Sequence, residues 1–173
     1  AKVSRVTYDE TGTLTNGKPK VIAVKSLSES YTEQDIYALA AAAEQFSEHP
    51  LGKAIVSCYK QNADAPIPKA TDFEMQLGQG VCAVVDGKRI FAGKLDMTNG
   101  NKKPCQTNSE IHGFLNDGST ITYIFSDDEI IGYLVLSDTI RKESIEMIDT
   151  LRNCGVQPVL LTGDNENSAS SIA

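Results

Sequence analysis

The chain has 173 residues, of which 40% are hydrophobic and 23% are charged, and its formal net charge at pH 7 is -7. A chain of this length and composition can bury the core of one sizeable domain or of two small ones. Its acidic character excludes general attraction to nucleic acid or anionic lipid, because both require a basic surface. Its longest apolar run, residues 36–43, is far shorter than the roughly 20 residues of a membrane span, so we expect these residues to be soluble.

Four cysteines, Cys58, Cys82, Cys105 and Cys154, are scattered along the chain without a CxxC pair. This spacing is typical neither of a zinc site nor of a dense disulfide framework. We therefore expect free thiols with a structural role, in a reducing compartment.

The two ends of the chain share one pattern. Residues 2–8 are predicted to form a short buried strand, and residues 158–161 are a continuous apolar run, as is typical of strands in a parallel sheet that is covered on both faces. Ile145 and Ile148 lie on one face of a predicted helix that ends near Gly155. Parallel strands that alternate with helices indicate a Rossmann-like layer built from both chain ends.

The middle of the chain has a different pattern. Thr32 and Asp35 resemble a capping box, and apolar residues then recur at helical spacing as far as Phe46. Pro50 suits the first turn of a second helix that runs to about Gln61. Short strands are predicted at residues 21–27, 71–76, 81–85, 89–92, 120–126 and 129–136. The fold class is therefore α/β, with an antiparallel-sheet domain and its flanking helices inserted into a partial Rossmann-like domain.

The change of pattern also predicts the domain boundaries. Residues 1–18 and 137–173 are assigned to the Rossmann-like domain, and residues 19–136 to the inserted domain. We expect a hinge where the two patterns meet, near residues 17–20 and 136–140. The polar residues 99–108 are predicted to form a loop.

Asp9 ends the first predicted strand and is followed by Thr11, Gly12 and Thr13. Ligands of open parallel sheets bind beyond the carboxyl ends of the strands. A carboxylate there can attack a terminal phosphate, while hydroxyl groups and a glycine backbone hold the anion. Alternatively, these residues form an ordinary turn. A second segment follows the last strand in the same way and forms either a phosphate loop or a helix N-cap: Thr162, Gly163 and Asp164.

These segments, together with three others, resemble one family. P-type ATPases belong to the haloacid dehalogenase-like superfamily. Their phosphorylation loop is similar to DETGTLTNGKP, and their phosphate-holding loop is similar to LTGDN. The signature of their heavy-metal-transporting subclass resembles SEHPLGKAI, and its glycine turn resembles LGQGV. The return of the chain into the phosphorylation domain resembles LSDTIRKES. The motifs occur in the same order as in the family, and the resemblance covers nearly the whole chain.

The resemblance implies a phosphorylation site at Asp9. The phosphate would be held by Thr11, Thr13, Thr162, Gly163 and Asp164. A magnesium ion would bind Asp9 and the carbonyl of Thr11, in a site that is incomplete because the chain ends before the family's remaining ligands. Glu10 stands where the family has lysine, which places a second negative charge beside the nucleophile. We therefore expect this chain to bind nucleotide and to be phosphorylated poorly.

The resemblance also implies an ATP pocket in the inserted domain, lined by Glu44, His49, Gly78, Gly80 and Val81. A carboxylate can accept a hydrogen bond from the exocyclic amine of adenine, an imidazole can stack on the purine, and glycines let the backbone approach it. Without the resemblance, His49 is interpreted as a residue of a helix junction or a helix cap, and the two glycines as a turn or bulge.

The first functional hypothesis is the ATP-binding cytoplasmic region of a heavy-metal-exporting P-type ATPase. The chain alone is expected to be monomeric, and the intact protein to add transmembrane and actuator domains. Copper(I) or silver is favoured over zinc or cadmium, from SEHPLGKAIV alone. One alternative is a haloacid dehalogenase-like phosphatase, although Thr11 stands where such an enzyme has its second acid. Another is a non-catalytic nucleotide-binding module. Lys94, where many relatives have asparagine, either meets a phosphate or faces solvent.

Overall fold

The computed structural model describes residues 4–9, 16–95, 109–139 and 142–161. The elements in these residues are, in chain order, β1 (Arg5–Asp9), β2 (Lys20–Ser26), α1 (Glu33–Ala43), α2 (Pro50–Asn62), β3 (Ala70–Gln76), β4 (Gly80–Val85), β5 (Lys88–Gly93), α3 (Ser109–Asn116), β6 (Thr120–Ser126), β7 (Glu129–Ser137), α4 (Lys142–Asn153) and β8 (Gln157–Leu161). The strands form two sheets. β1 and β8 pair in parallel, and the other six strands form an antiparallel sheet in the order β2-β7-β6-β5-β4-β3. The predicted fold class is confirmed.

The helix α1 begins as its sequence predicts and ends earlier. The Thr32 hydroxyl accepts a hydrogen bond from the Asp35 N–H at 3.1 Å, and the Asp35 carboxylate accepts one from the Thr32 N–H at 2.8 Å. This capping box satisfies amide groups that the first helical turn leaves unpaired. The helix ends at Ala43, so the prediction that it reaches Phe46 was wrong. Phe46 is 56% exposed and packs edge-on against Phe73, and such a surface pair gives the same apolar signal as a core residue.

Helices cover both faces of the antiparallel sheet. Neighbouring residues of a strand point to opposite faces, and β7 uses both of them. Leu134 belongs to the larger core with residues of α1 and α2, whereas Tyr133 packs with Ile111 of α3. Residues 40–43 of α1 are four consecutive buried alanines, whose small side chains let the helix lie close to the strands.

The other sequence predictions concern helix α3, the cysteines, the loop at residues 99–108 and the absence of a membrane span. The helix α3 was not predicted, because Ile111 is the one buried residue among its eight and too few apolar positions mark a helical period. The three described cysteines, Cys58, Cys82 and Cys154, are free, as expected. Cys105 and the predicted loop at 99–108 lie outside the described residues. None of the helices within the described ranges has the length and apolar character of a membrane span.

Two segments connect the sheets, and they are hydrogen-bonded to each other. The carboxylate of Asp138 accepts hydrogen bonds from the backbone N–H of Gly17 at 2.8 Å and of Lys18 at 3.2 Å. Asn16 donates to Thr139 through its backbone N–H at 2.9 Å and through its side-chain amide at 2.7 Å. These hydrogen bonds hold the two connecting segments side by side. The domain boundaries and the hinge at this position stay a prediction.

Candidate functional site

The two strands of the parallel sheet end side by side. Their register pairs Asp9 with Leu161, the last residue of β8. The segments expected to carry phosphate chemistry therefore leave the sheet at one edge, where ligands of such sheets bind. The backbone of Asp9 is described, but the other residues predicted for the phosphate and magnesium sites lie outside the described ranges: Thr11, Thr13, Thr162, Gly163 and Asp164. Their roles stay a prediction.

A cavity of about 210 Å³ lies between the junction of α1 with α2 and the turn from β3 to β4. Its walls include every residue predicted for the nucleotide pocket: Glu44, His49, Gly78, Gly80 and Val81. The helix junction and the turn are separated by about thirty positions of sequence, so the fold brings the two motifs together. Their proximity is a finding, and their role in binding stays a prediction.

Other elements contribute walls that the sequence did not predict. Thr122 of β6 is 6% exposed and places a polar residue in a wall that is otherwise mostly apolar. A buried threonine gives no local signal in the sequence, because β-branched residues are common in any strand. The further lining residues are Ser47, Leu51, Met75, Gln76, Leu77, Gln79, Ala92, Gly93, Lys94, Thr120 and Ile121.

Glu44 places a buried carboxyl group in the cavity wall. It is the C-cap of α1 and is 7% exposed, and its Oε2 has no hydrogen-bond partner among the described residues. Burial raises the pKa of the Glu44 carboxyl above its ordinary value, and a side-chain hydrogen bond with Ser47 opposes that shift. Gly52 of α2 leaves the necessary space, because a Cβ there would overlap Oε2. A buried acceptor without a partner is costly in the free protein, and a ligand donor can satisfy it.

His49 has a structural role at the start of α2. It is the N-cap of that helix, and its Nδ1 accepts a hydrogen bond from the Leu51 N–H at 3.3 Å. Pro50 occupies the first helical position, where a missing N–H is harmless. Because Nδ1 is an acceptor, the neutral imidazole carries its proton on Nε2. The exposed ring of His49 therefore presents a hydrogen-bond donor and a π face to a ligand.

Both glycines of the turn have a positive φ, and Gly80 is also confined by packing. Gly78 has a φ of +75°, with open space around it. Gly80 pairs with Gly93 across β4 and β5, and a Cβ on Gly80 would lie 2.6 Å from the Gly93 Cα and would overlap the Ala92 carbonyl. Gly80 is therefore needed for strand packing, whatever it contributes to a ligand.

The packing constraint on Gly80 predicts that its substitution lowers stability more than substitution of Gly78. Gly80→Ala should lower the free energy of unfolding by about 2 to 3 kcal/mol, because the new methyl group must displace the backbone of β5 in addition to the strain of a positive φ. Gly78→Ala, the matched control, should lower it by about 1 kcal/mol, from backbone strain alone. Urea denaturation of both variants measures the difference. Equal losses in the two variants would show that the contact with Gly93 has no energetic weight.

Comparison with known proteins identifies the family. The chain belongs to the haloacid dehalogenase-like hydrolases, whose family model matches residues 4–173. It is 35% identical to the zinc/cadmium/lead-transporting P-type ATPase of Escherichia coli strain K12, over 99% of this chain and 23% of that protein. It is 33% identical to the copper-exporting P-type ATPase of Bacillus subtilis strain 168, over 99% of this chain and 21% of that protein. The chain thus spans less than a quarter of the length of these relatives.

Solved structures of heavy-metal P-type ATPases are also similar to this chain. A zinc-transporting PIB-type ATPase in its E2.Pi state matches with a TM-score of 0.71 and 35% identity, over 99% of this chain and 28% of that one. The catalytic domain of the CPx-ATPase CopB-B, for which conformational changes upon nucleotide binding are described, matches with a TM-score of 0.66 and 26% identity, over 98% of this chain and 58% of that one. The predicted resemblance to heavy-metal P-type ATPases is confirmed.

Proposed function

We propose that this chain is the ATP-binding cytoplasmic region of a P-type ATPase that exports heavy-metal cations. The observation that carries the proposal is the cavity, where residues from the SEHP segment and from the glycine turn line one space. Relatives and solved structures whose names give ATP-driven metal transport or nucleotide binding add support over nearly the whole chain.

The chemistry of the cavity suits the base and the ribose of ATP. Its volume of about 210 Å³ is below the roughly 300 Å³ of a typical ligand cleft, so we expect the phosphates to lie outside it. Leu51, Met75 and Val81 offer apolar walls to the purine. In the proposed complex, the exocyclic amine of adenine donates to the carboxylate of Glu44, and the imidazole of His49 contacts the ring.

In the intact protein, the proposed reaction is phosphorylation of Asp9 by ATP. The parallel register of β1 and β8 supports it, since both phosphate segments leave the sheet at the same edge. Magnesium, bound by Asp9 and Thr11 in this proposal, would neutralise charge on the phosphates. The intact protein would add transmembrane and actuator domains, with this region on the cytoplasmic face of the membrane.

For the transported metal, we propose the class of heavy-metal cations. Relatives named for zinc, cadmium and lead and relatives named for copper are similarly close, at 35% and 33% identity. The finer preference for copper(I) or silver rests on SEHPLGKAIV alone. Stimulation of ATP hydrolysis in the intact transporter by copper(I), silver, zinc or cadmium tests it, and stimulation by zinc without copper(I) or silver would contradict it.

Two substitutions of His49 test nucleotide binding. We expect the wild-type chain to bind ATP, and His49→Asn to bind it roughly tenfold more weakly, because asparagine lacks the imidazole. Asparagine is a good N-cap, so this variant should be nearly as stable as the wild type. His49→Ala should lose both the affinity and about 1 kcal/mol of stability, through the lost cap.

Calorimetric titration with ATP and urea denaturation give the two readouts. Failure of the wild-type chain to bind ATP would contradict the proposal. Wild-type affinity in His49→Asn would remove His49 from the site.

A further inference from the structure

Lys94 stands where β5 leaves the sheet, at the rim of the cavity. The ladder between β4 and β5 ends with the pair Gly80 and Gly93. Directly after it, the Lys94 N–H donates a hydrogen bond to the Gln79 carbonyl at 2.8 Å. This bond fixes the backbone of Lys94 beside the glycine turn. The residue lines the cavity and is exposed to solvent.

Lys94 supplies positive charge to a site that otherwise has little. The other ionisable side chains among the described lining residues are Glu44 and His49. The cations in the ion pairs of the described residues are Lys25, Lys53 and Arg89, so the Lys94 ammonium is not used in such a pair there. The chain as a whole carries a net charge of -7. A polyanionic ligand therefore needs a local cation to offset the acidic surface.

The size of the cavity indicates where this cation would act. A space of about 210 Å³ is smaller than the roughly 300 Å³ of typical small-molecule clefts. If it holds the base and ribose, the phosphates of a nucleotide extend past the rim. Among the described residues that line the cavity, Lys94 lies at the rim on the β5 side, and its ammonium carries three donors on a flexible stem.

We propose that Lys94 binds the phosphate groups of the nucleotide and gives the site its preference for nucleoside triphosphates over nucleosides. The inference rests on the proposed nucleotide site and assigns a specificity-determining residue within it. Because the contact lies at the exposed rim, its contribution is moderate and weakens as salt screens the charges.

A ligand series tests the proposal. Adenosine, AMP, ADP and ATP are titrated into the chain by calorimetry, in buffer without magnesium so that the phosphates keep their full charge. For the wild type, affinity should rise along the series. Lys94→Gln should weaken ATP binding about three- to tenfold and leave adenosine binding unchanged. Lys94→Arg keeps the charge and should retain most of the preference for ATP.

Lys69→Gln is the matched control, since it removes the same charge from an exposed residue outside the cavity. It should leave the series unchanged. An equal loss of ATP affinity in the control would assign the effect to net charge and overturn the proposal. So would a loss of adenosine binding in Lys94→Gln as large as the loss of ATP binding. A wild-type chain that binds adenosine and ATP equally refutes the role of Lys94 alone, whereas one that binds neither refutes the nucleotide site itself.

Discussion

Asp9→Asn should reduce formation of a phosphorylated intermediate to background in the intact transporter. In the proposed step, a carboxylate oxygen of Asp9 attacks the γ-phosphorus of ATP, the bond from that phosphorus to the bridging oxygen breaks, and ADP leaves with the electron pair. An acyl phosphate remains on the protein. Asparagine has no carboxylate nucleophile, so the expected loss is at least about a hundredfold. Acid-stable label from ATP labelled in its γ-phosphate is the measurement.

The position of Asp9 in the fold supports this expectation. β1 ends at Asp9, and its partner β8 ends at Leu161 directly beside it. Two segments rich in hydroxyl, amide and carboxylate groups continue from these ends. A phosphate requires several donors that converge on one point, and two segments that leave the same edge of a sheet can supply them.

Glu10 offers a control in the same motif. Its carboxylate places negative charge next to the nucleophile and opposes the approach of an anionic phosphate. Glu10→Lys should therefore increase the rate of phosphorylation, and adding Asp9→Asn to it should again leave only background. Label that persists in either variant with asparagine at position 9 would show that another residue accepts the phosphate.

Glu44→Gln should stabilise the free protein and weaken ATP binding together. Glutamine removes a buried carboxylate whose Oε2 lacks a partner among the described residues. We expect the free energy of unfolding at neutral pH to rise by about 1 to 2 kcal/mol. ATP affinity should fall by roughly tenfold or more, because a neutral amide is a weaker acceptor than a carboxylate for the exocyclic amine. Opposite changes in stability and affinity are typical of residues kept for function.

The dependence on pH follows from the direction of the pKa shift. Burial raises the folded-state pKa of Glu44, so folding favours the protonated form. Stability from this group is greatest below its ordinary pKa of 4.5 and is lost as pH rises through the raised value. ATP binding should favour the ionised form, so affinity should increase with pH over the same range. Both dependences should disappear in Glu44→Gln, which assigns them to the Glu44 carboxyl.

Glu48→Gln is the matched control for this pair of measurements. Glu48 lies at the same helix junction, but its side chain is 91% exposed. Its neutralisation should change neither stability nor ATP affinity beyond the small effect of a surface charge. If Glu44→Gln lowers stability, or leaves the affinity unchanged, Glu44 is a structural residue and not a ligand-binding one.

The sequence predicted the parts of the fold and of the site that local motifs encode. The capping box at Thr32 and Asp35 depends on neighbouring residues, and so does the N-cap position before Pro50, which places His49. The wall formed by Thr122 depends on the pairing of β6 with β5, and the need for glycine at Gly80 depends on its register with Gly93. Strand pairing over long sequence distances is not encoded in any single segment, so these features required the structure.

The incorrect predictions for the end of α1 and for α3 have the same cause, since each depends on contacts between distant segments. A pattern of apolar residues shows that a side chain avoids water, but not what covers it. Phe46 continued the helical pattern of α1, yet it packs on Phe73 beyond the end of that helix. The helix α3 was missed because its one buried residue, Ile111, meets a face of the sheet that the sequence does not identify.

The central claim is that one cavity of the antiparallel domain binds the nucleotide. Nuclear magnetic resonance of the ¹⁵N-labelled chain, titrated with ATP, tests it residue by residue. We predict that the backbone amides that change most are those of residues 47–49, 51, 76–81, 93–94 and 120–122, with the change saturating as the site fills. Saturating changes confined to other residues, or none at the highest ATP concentration, would contradict the claim.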